Sequence, residues 1–414
     1  MTDTRDMNQA GDSVAAWIAR ALQAQGVTCV FGLQGGHIQP VWDHVARLGI
    51  RIVDVRDEGA AIHMAHAWAD LTGSLGVAMA TAGPGVTNCV TGMANASLAR
   101  TPVLLLGGCT PRAQANMGPL QDIAHVDIMA PVTRYSRTAR VAEQVPRELN
   151  EAMARAMGDF GEPGPAYLEI PTDVLRVRVP EALVPSDWLS PIRGRRLAPD
   201  AERISEAVAA VRAAKRPLVV TGRGARGAGD ALVRFLVAAG ALSLCTKESR
   251  GLVPGDHEAV VGAVRAAAMG QADLVITVGR KLDYQLGFGS PAVFPDARFL
   301  RIADNAGELI DNRRGSPEVL ASADLALEAI TAELGHDAGD IDDGRRDGLR
   351  ATHLQPLPTG RTRSAPEPAP GGRVHPIATL DALNQAVPEG HIGLAARAYL
   401  CTFCRHGPAD HATA

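Results

Sequence analysis

Lysine is scarce in this sequence: only Lys215, Lys247 and Lys281 stand among 41 basic side chains. That bias toward arginine is the kind a GC-rich genome imposes, and it carries no functional reading. No basic cluster stands out against a net charge of −4, so nucleic acid is not an expected partner. No stretch reaches the roughly 18–20 consecutive apolar residues that a membrane-spanning helix needs, and no membrane association is expected. The opening "MTDTRDMNQAGDSVAAWIARALQ" lacks a basic end followed by an apolar run, so a secretory leader is not expected either. Six cysteines are scattered (Cys29, Cys89, Cys109, Cys245, Cys401, Cys404), the first four within strand-like or helical runs. This reads as buried thiols in a reducing cytoplasm and excludes a disulfide framework.

What remains is an ordinary globular composition, 46% hydrophobic and 21% charged over 414 residues. That length accommodates two or three domains with cores able to stand unaided. From residue 12 to about 178 the pattern alternates between helix and strand. "DSVAAWIARALQAQG" spaces Val14, Trp17, Ile18 and Leu22 along one helical face and closes on Gly26. "VTCVFGL", "RIVDV", "GVAMAT", "VLLLGG" and "AYLEIP" read as strands, mostly apolar without alternation. Continuous apolar strands separated by helices imply a parallel sheet covered on both faces. A second such unit follows, with strands "RPLVVTG", "ALSLCT", "DLVITVG" and "RFLRIAD" and the closing helix "LASADLALEAITAEL". The expected organisation is therefore two doubly wound α/β domains, residues 1–180 and 195–334, then a polar, Pro/Gly-rich linker over 335–372. Residues 373–414 open like a further domain but number too few for an independent core.

The residues with chemical potential sit at strand ends, where ligands collect in open α/β sheets. In "VRDEGAAIHMAHAWADLTGSLGVAMATAGPGVTN", the acids Asp57 and Glu58 follow one strand and the turn "TAGPG" follows the next. Taken alone, Glu58 reads as a surface acid favoured by a helix N-terminus, and "TAGPG" as an ordinary strand-to-helix turn. The functional reading is that Gly83 and Gly85 clear space for a flat ring and Pro84 stiffens the turn.

"FGLQGGHIQPVWD", "VRDEGAA", "ATAGPGVTN", "TPVLLLGG" and "PLQDI" occur in the order found in thiamine-diphosphate enzymes of the acetolactate synthase and 2-hydroxyacyl-CoA lyase type, which the first 334 residues resemble. "RKLDYQLGFG" is closer to the CoA-lyase branch. The resemblance implies a pyrimidine-binding domain followed by a Rossmann-like central domain. It assigns Glu58 as the activating acid, with Asp57 standing where the family has histidine. An acid hydrogen-bonded to the pyrimidine nitrogen N1′ favours the imino tautomer, the form that takes the proton from the thiazolium carbon; this calls for a buried carboxyl at a fixed place. Thr81, Gly83, Pro84, Gly85 and Asn88 are then cofactor-binding candidates. The resemblance also implies that the loop of Gln34 (where the family more often has proline) and Gly35 borders the reactive carbon. Leu120 and Gln121 match the family's aromatic–glutamine pair, which faces the site from a neighbouring subunit. These four are the substrate candidates.

Two other ligands are weighed in the second unit. "VVTGRGARGAGD" contains Gly222, Gly224 and Gly227 in a G-x-G-x-x-G spacing after a strand, which on its own points to NAD(P); no acid ends the next strand, "ALSLCT". Acetolactate synthases hold a structural FAD here, but Lys281 and Gln285 replace the arginines of the corresponding segment. This speaks against FAD and leaves an adenine nucleotide or CoA moiety open.

Family members hold the diphosphate through Mg²⁺ on a G-D-G motif in a third domain, as a doubly charged diphosphate demands a hard cation on oxygen ligands. The sequence contains no G-D-G; after "PEGHI" it runs "GLAARAYLCTFCRHGPADHATA". Cys401, Cys404, His406 and His411 there read as a tail without function in preference to a zinc site. The pyrophosphate-binding domain is thus expected to be largely missing, through truncation, a frameshift or a split enzyme whose second subunit brings it. The expected function is a carboligase or lyase acting on a small 2-oxo acid or an acyl-CoA, cytoplasmic, dimeric or tetrameric, and inactive alone. A non-catalytic scaffold and an NAD(P) enzyme built on the Gly222 turn are the alternatives.

Overall fold

The computed structural model describes residues 11–355, apart from 185, 193, 195 and 336. The expected domain remnant at 373–414, with Cys401, Cys404, His406 and His411 in it, lies outside the described residues. The described residues divide into two compact units, which meet in sequence between residues 195 and 196.

In the first unit, β1 (Asp12–Ser13) pairs antiparallel with β8 (Arg178–Val179), tying the two ends of the unit together. Between them run β2 (Cys29–Gly32), β3 (Arg51–Asp54), β4 (Gly76–Ala80), β5 (Val103–Cys109), β6 (Tyr135–Thr138) and β7 (Ala166–Pro171). These six form a wholly parallel sheet in the order β3-β2-β4-β5-β7-β6. Parallel pairing follows from the helix inserted between successive strands, which carries the chain back to its starting edge. Because strand side chains alternate, each strand feeds two cores. Val30, Met79, Leu104, Leu106 and Leu168 pack with Trp17, Leu22, Trp42 and Met153 on one face. Phe31, Ala78, Ala80, Leu105 and Tyr167 pack with Ile62, Ala65, Met93 and Ala96 on the other.

The sheet order reverses between β2 and β4, since the chain steps outward from β2 to β3 and then crosses to β4. Such a switch leaves a crevice beyond the strand ends. The loops after β2, β3 and β4 all open there, and they carry Gly35, Glu58 and the Thr81–Gly85 turn. The helix Glu58–Thr72 is capped by Asp57, whose Oδ1 accepts from the Ala60 N–H at 3.0 Å. It rides close on β4: a Cβ on Gly76 would stand 2.1 Å from the Ala65 carbonyl oxygen. Gly76→Ala therefore drives a methyl into helix backbone and is expected to lower stability by about 1–3 kcal/mol. All four tryptophans (17, 42, 68 and 188) belong to this unit, so the loss should appear as a lower urea midpoint by tryptophan fluorescence.

The second unit holds β9 (Pro217–Thr221), β10 (Leu242–Cys245), β11 (Leu274–Val278), β12 (Arg298–Ala303) and β13 (Glu318–Leu320), parallel throughout, in the order β10-β9-β11-β12-β13. Val219, Ile276 and Leu300 face one core and Leu218, Val275 and Phe299 the other. The segment expected as a linker is not wholly irregular. Its first part forms the helix Asp343–Leu354, capped by Asp342 and anchored by the buried Leu349. Arg350 donates to the carbonyls of His257 and Asp256, and Arg345 to Gln271, fastening this helix to the same unit. One apolar anchor in a charged helix leaves almost no periodic signal, so composition alone read it as linker.

Candidate functional site

Glu58 is the first residue of its helix, and it is 7% exposed. A carboxylate at that position faces the helix dipole's positive end, yet this one is turned inward, under the β4 turn. Its Oε2 accepts from Asn88 Nδ2 at 2.9 Å. Its Oε1 lies 3.4 Å from where a Cβ on Gly85 would stand. One carboxyl oxygen is thus held by an amide while the other faces the glycine turn. The reading of Glu58 as a surface acid does not describe its position.

The turn is shaped for close approach. Gly83 has φ 63° and ψ −125°, a conformation that side chains resist. A Cβ there would also come 2.7 Å from Gln121 Cβ. Beneath, the Cys89 thiol donates to the Gly85 carbonyl at 3.3 Å. Burial first, and the Glu58 charge second, push that thiol's pKa up, which keeps its proton in place for this bond. Thr81 closes the side toward β2: Gly35 comes so near that a Cβ would stand 2.4 Å from Thr81 Cβ. Thr81 Oγ1 also pairs with His37 Nδ1 at 3.2 Å. Burial lowers the His37 pKa, favouring the neutral ring.

The candidates therefore fall into two sets. Glu58, Thr81, Gly83, Gly85 and Asn88 converge, with Gly35 at one edge and Gln121 at the other. Gln121, expected to reach the site from a neighbouring subunit, packs over Gly83 of its own chain. The loop achieves this with positive φ at Asn116, Gly118 and Gln121, which folds it back over the turn. Pro84 lies in the turn but is exposed. Gln34 is exposed and bonds to Gln39. Leu120 is 75% exposed, so its side chain takes little part in this cleft.

Sequence reasoning overlooked a buried polar chain behind the turn. The Gly83 N–H donates to His125 Nε2 at 2.6 Å, and His125 Nδ1 stands 2.9 Å from Glu169 Oε2. Glu169 accepts further from Tyr167 (2.9 Å) and Thr138 (2.6 Å). An acid inside the apolar strand "AYLEIP" was the available signal, because a charge in a buried strand requires partners.

In the second unit the glycine-rich turn is taken up by packing. The N–H groups of Gly222 and Gly224 donate to the carbonyls of Val278 (3.0 Å) and Gly279 (3.1 Å). Cβ atoms on these glycines would stand 2.4 Å from Gly279 O and 2.7 Å from Gly279 Cα respectively. A dinucleotide turn needs such N–H groups free for the pyrophosphate; here the glycines serve the neighbouring loop. Of the basic and amide groups weighed against FAD, Gln285 accepts from Arg280 at 3.0 Å, and Arg280 is also clamped by Asp283.

Among the described residues no group of three or more His, Cys, Asp or Glu could hold a metal ion, and no helix is long and apolar enough to cross a membrane. Comparison with known proteins gives two family matches: residues 12–130 to the thiamine pyrophosphate enzyme N-terminal TPP binding domain, and residues 204–330 to the thiamine pyrophosphate enzyme central domain. Among curated relatives, the acetolactate synthase large subunit of Mycobacterium tuberculosis is 35% identical over 69% of this chain and 52% of its own length. Human 2-hydroxyacyl-CoA lyase 1 is 31% identical, covering 78% of this chain and 56% of its own. Human 2-hydroxyacyl-CoA lyase 2 is 28% identical, covering 94% and 66%. The chain spans about half the length of the first of these relatives.

Proposed function

Because the chain belongs to the thiamine pyrophosphate (thiamine diphosphate) enzyme family, we propose that it forms the cofactor-activating part of a carboligase or lyase acting on a 2-oxo acid or a 2-hydroxyacyl-CoA. The observation that carries this is the convergence of a buried acid and a bare glycine turn at one sheet switch point. Glu58 Oε1 faces Gly85 while Asn88 holds Oε2. A heteroaromatic ring laid on that turn meets a hydrogen-bonding carboxyl at its edge, which is the fit the cofactor's pyrimidine requires.

The cofactor supplies a nucleophilic carbon and an electron sink next to the substrate carbonyl. The residues of this chain do the rest. Glu58 holds a proton at the pyrimidine nitrogen. Asn88 fixes the carboxyl's rotation so that one oxygen always points into the cleft. Gly83 and Gly85 let the backbone serve as a wall, and Thr81 with Gly35 closes the side toward β2. Gln121, standing over Gly83, is placed to contact substrate.

These residues include no oxygen cluster of the G-D-G type for a Mg²⁺-bound diphosphate. In this reading the Mg²⁺-bound diphosphate is held by oxygen ligands outside these residues. Titration calorimetry with thiamine diphosphate and Mg²⁺, with and without a polypeptide carrying a G-D-G domain, tests the reading. Saturable binding is expected, stronger with the second polypeptide. Absence of heat in both titrations would favour a non-catalytic scaffold. A parallel fluorescence titration with NADH is expected to show no binding, since Gly222 and Gly224 have no N–H to offer.

A further inference from the structure

The buried chain behind the glycine turn has a direction, and the direction gives it a job. Gly83 N–H is a donor, so the nitrogen it reaches, His125 Nε2, must present a lone pair. The ring proton then sits on Nδ1, which faces Glu169 Oε2 at 2.9 Å. Glu169 in turn collects the hydroxyls of Tyr167 and Thr138, so its carboxyl is met by three donors from β6, β7 and the helix His125–Met129. Burial first, then the Glu169 charge, pushes the Tyr167 phenol well above its ordinary pKa, so it stays a donor. His125, Glu169 and Tyr167 are 2%, 6% and 0% exposed. Every polar atom of this relay is spoken for, and its one output is the backbone of residue 83.

That output is a demanding place to hold. Gly83 sits at positive φ, with Gln121 packed against it on the opposite side. The peptide between Ala82 and Gly83 sets where Gly85, and hence the space in front of Glu58 Oε1, will lie.

We propose that His125 is a positioning residue for the cofactor's pyrimidine, acting through Gly83: Glu169 locks the Nδ1–H tautomer, and the Nε2 lone pair this leaves pins the Gly83 N–H so that the turn stays open to a ring. The proposal rests on the thiamine diphosphate reading above. It separates His125 from a residue that merely stabilises the fold, because its two nitrogens do different work. Nδ1 serves the buried acid and stability; Nε2 serves the turn and the ligand.

Two substitutions divide those roles. In His125→Gln the side-chain oxygen can reach the place of Nε2 and accept from Gly83, while Glu169 loses the donor it had. In His125→Leu both bonds are lost. Thermal midpoints are expected to fall in both variants, and further in His125→Leu, where the Gly83 N–H also loses its partner. Affinity for thiamine diphosphate with Mg²⁺, measured by calorimetry in the same two-polypeptide assembly, is expected to stay within about threefold of the unsubstituted protein for His125→Gln. For His125→Leu it is expected to weaken by roughly tenfold or more, the cost of a buried N–H without a partner. On the unsubstituted full chain, ¹⁵N-histidine spectra should show a neutral His125 protonated at Nδ1, with a scalar coupling from Gly83 N–H to Nε2. An Nε2–H tautomer overturns the proposal, and so does an equal loss of affinity in both variants. If the unsubstituted assembly binds no cofactor, the family reading of the site fails and the positioning role falls with it. Normal binding with both variants alike sinks the positioning role alone. Should His125→Leu fail to fold, the tautomer and the His125→Gln affinity decide.

Discussion

Glu58→Gln is expected to lower turnover by about 10²–10⁴-fold, the usual worth of a placed acid or base, in an assembly that supplies the Mg²⁺-diphosphate site. The substitution keeps size, shape and the bond from Asn88, because the amide oxygen can take the place of Oε2. What it removes is the capacity to hold and release a proton at the pyrimidine nitrogen. The effect should therefore fall on the chemistry and leave the fold nearly unchanged. Two measurements check it. Steady-state turnover should collapse while cofactor affinity changes little, and exchange of the bound cofactor's thiazolium proton with deuterated solvent should slow in parallel. Unchanged turnover, or slowed turnover with normal proton exchange, would mean that Glu58 is not the activating acid.

The second large effect concerns Arg301, a guanidinium 1% exposed inside the second unit. Its Nε donates to Thr277 Oγ1 at 2.7 Å, and its two terminal nitrogens reach Asp311 Oδ1 at 2.8 Å and Oδ2 at 3.1 Å. The carbonyls of Glu308 and Arg313 take further bonds. One planar cation thereby stitches β11, β12 and the loop that follows them. Arg301→Met fills similar volume but leaves the Asp311 carboxylate, 13% exposed, without its counter-charge. Breaking a buried pair from one side costs about 3–5 kcal/mol. Chemical unfolding followed by far-UV circular dichroism should reveal it; tryptophan fluorescence, confined to the first unit, is the wrong probe. A loss under about 1 kcal/mol would mean that Asp311 finds water when the arginine is gone.

The sequence showed much of the fold, and the reason differs from element to element. β4, β5, β9 and β11 are short apolar runs bounded by turn residues, and such runs have few uses other than a covered parallel strand. β6, "YSRT", lies at a sheet edge with only Tyr135 buried, so it lacked that signature. The helix Asp343–Leu354 was hidden by its charges and betrayed only by Leu349. In the site, Glu58 and the Gly83–Gly85 turn were legible because strand ends are where such sheets bind ligands. His125 and Glu169 were not. Gly83 and His125 are 42 positions apart, and no local pattern announces which backbone N–H a distant imidazole will take. The motif around Gln121 points to another subunit's contribution, and only the backward-folding loop shows it over its own chain's turn.

By itself, then, the order of residues determined two wound parallel sheets, the motifs at their strand ends and the family to which they belong, because periodicity, turn chemistry and short motifs are local properties of a chain. Only the tertiary structure decided which groups meet: that Glu58 turns inward beneath the β4 turn, that the N–H groups of Gly222 and Gly224 are taken by the carbonyls of Val278 and Gly279, and that a histidine and an acid stand behind Gly83. Those are pairings across sheets and between loops, and their energies depend on burial and on who stands opposite, which no stretch of sequence contains.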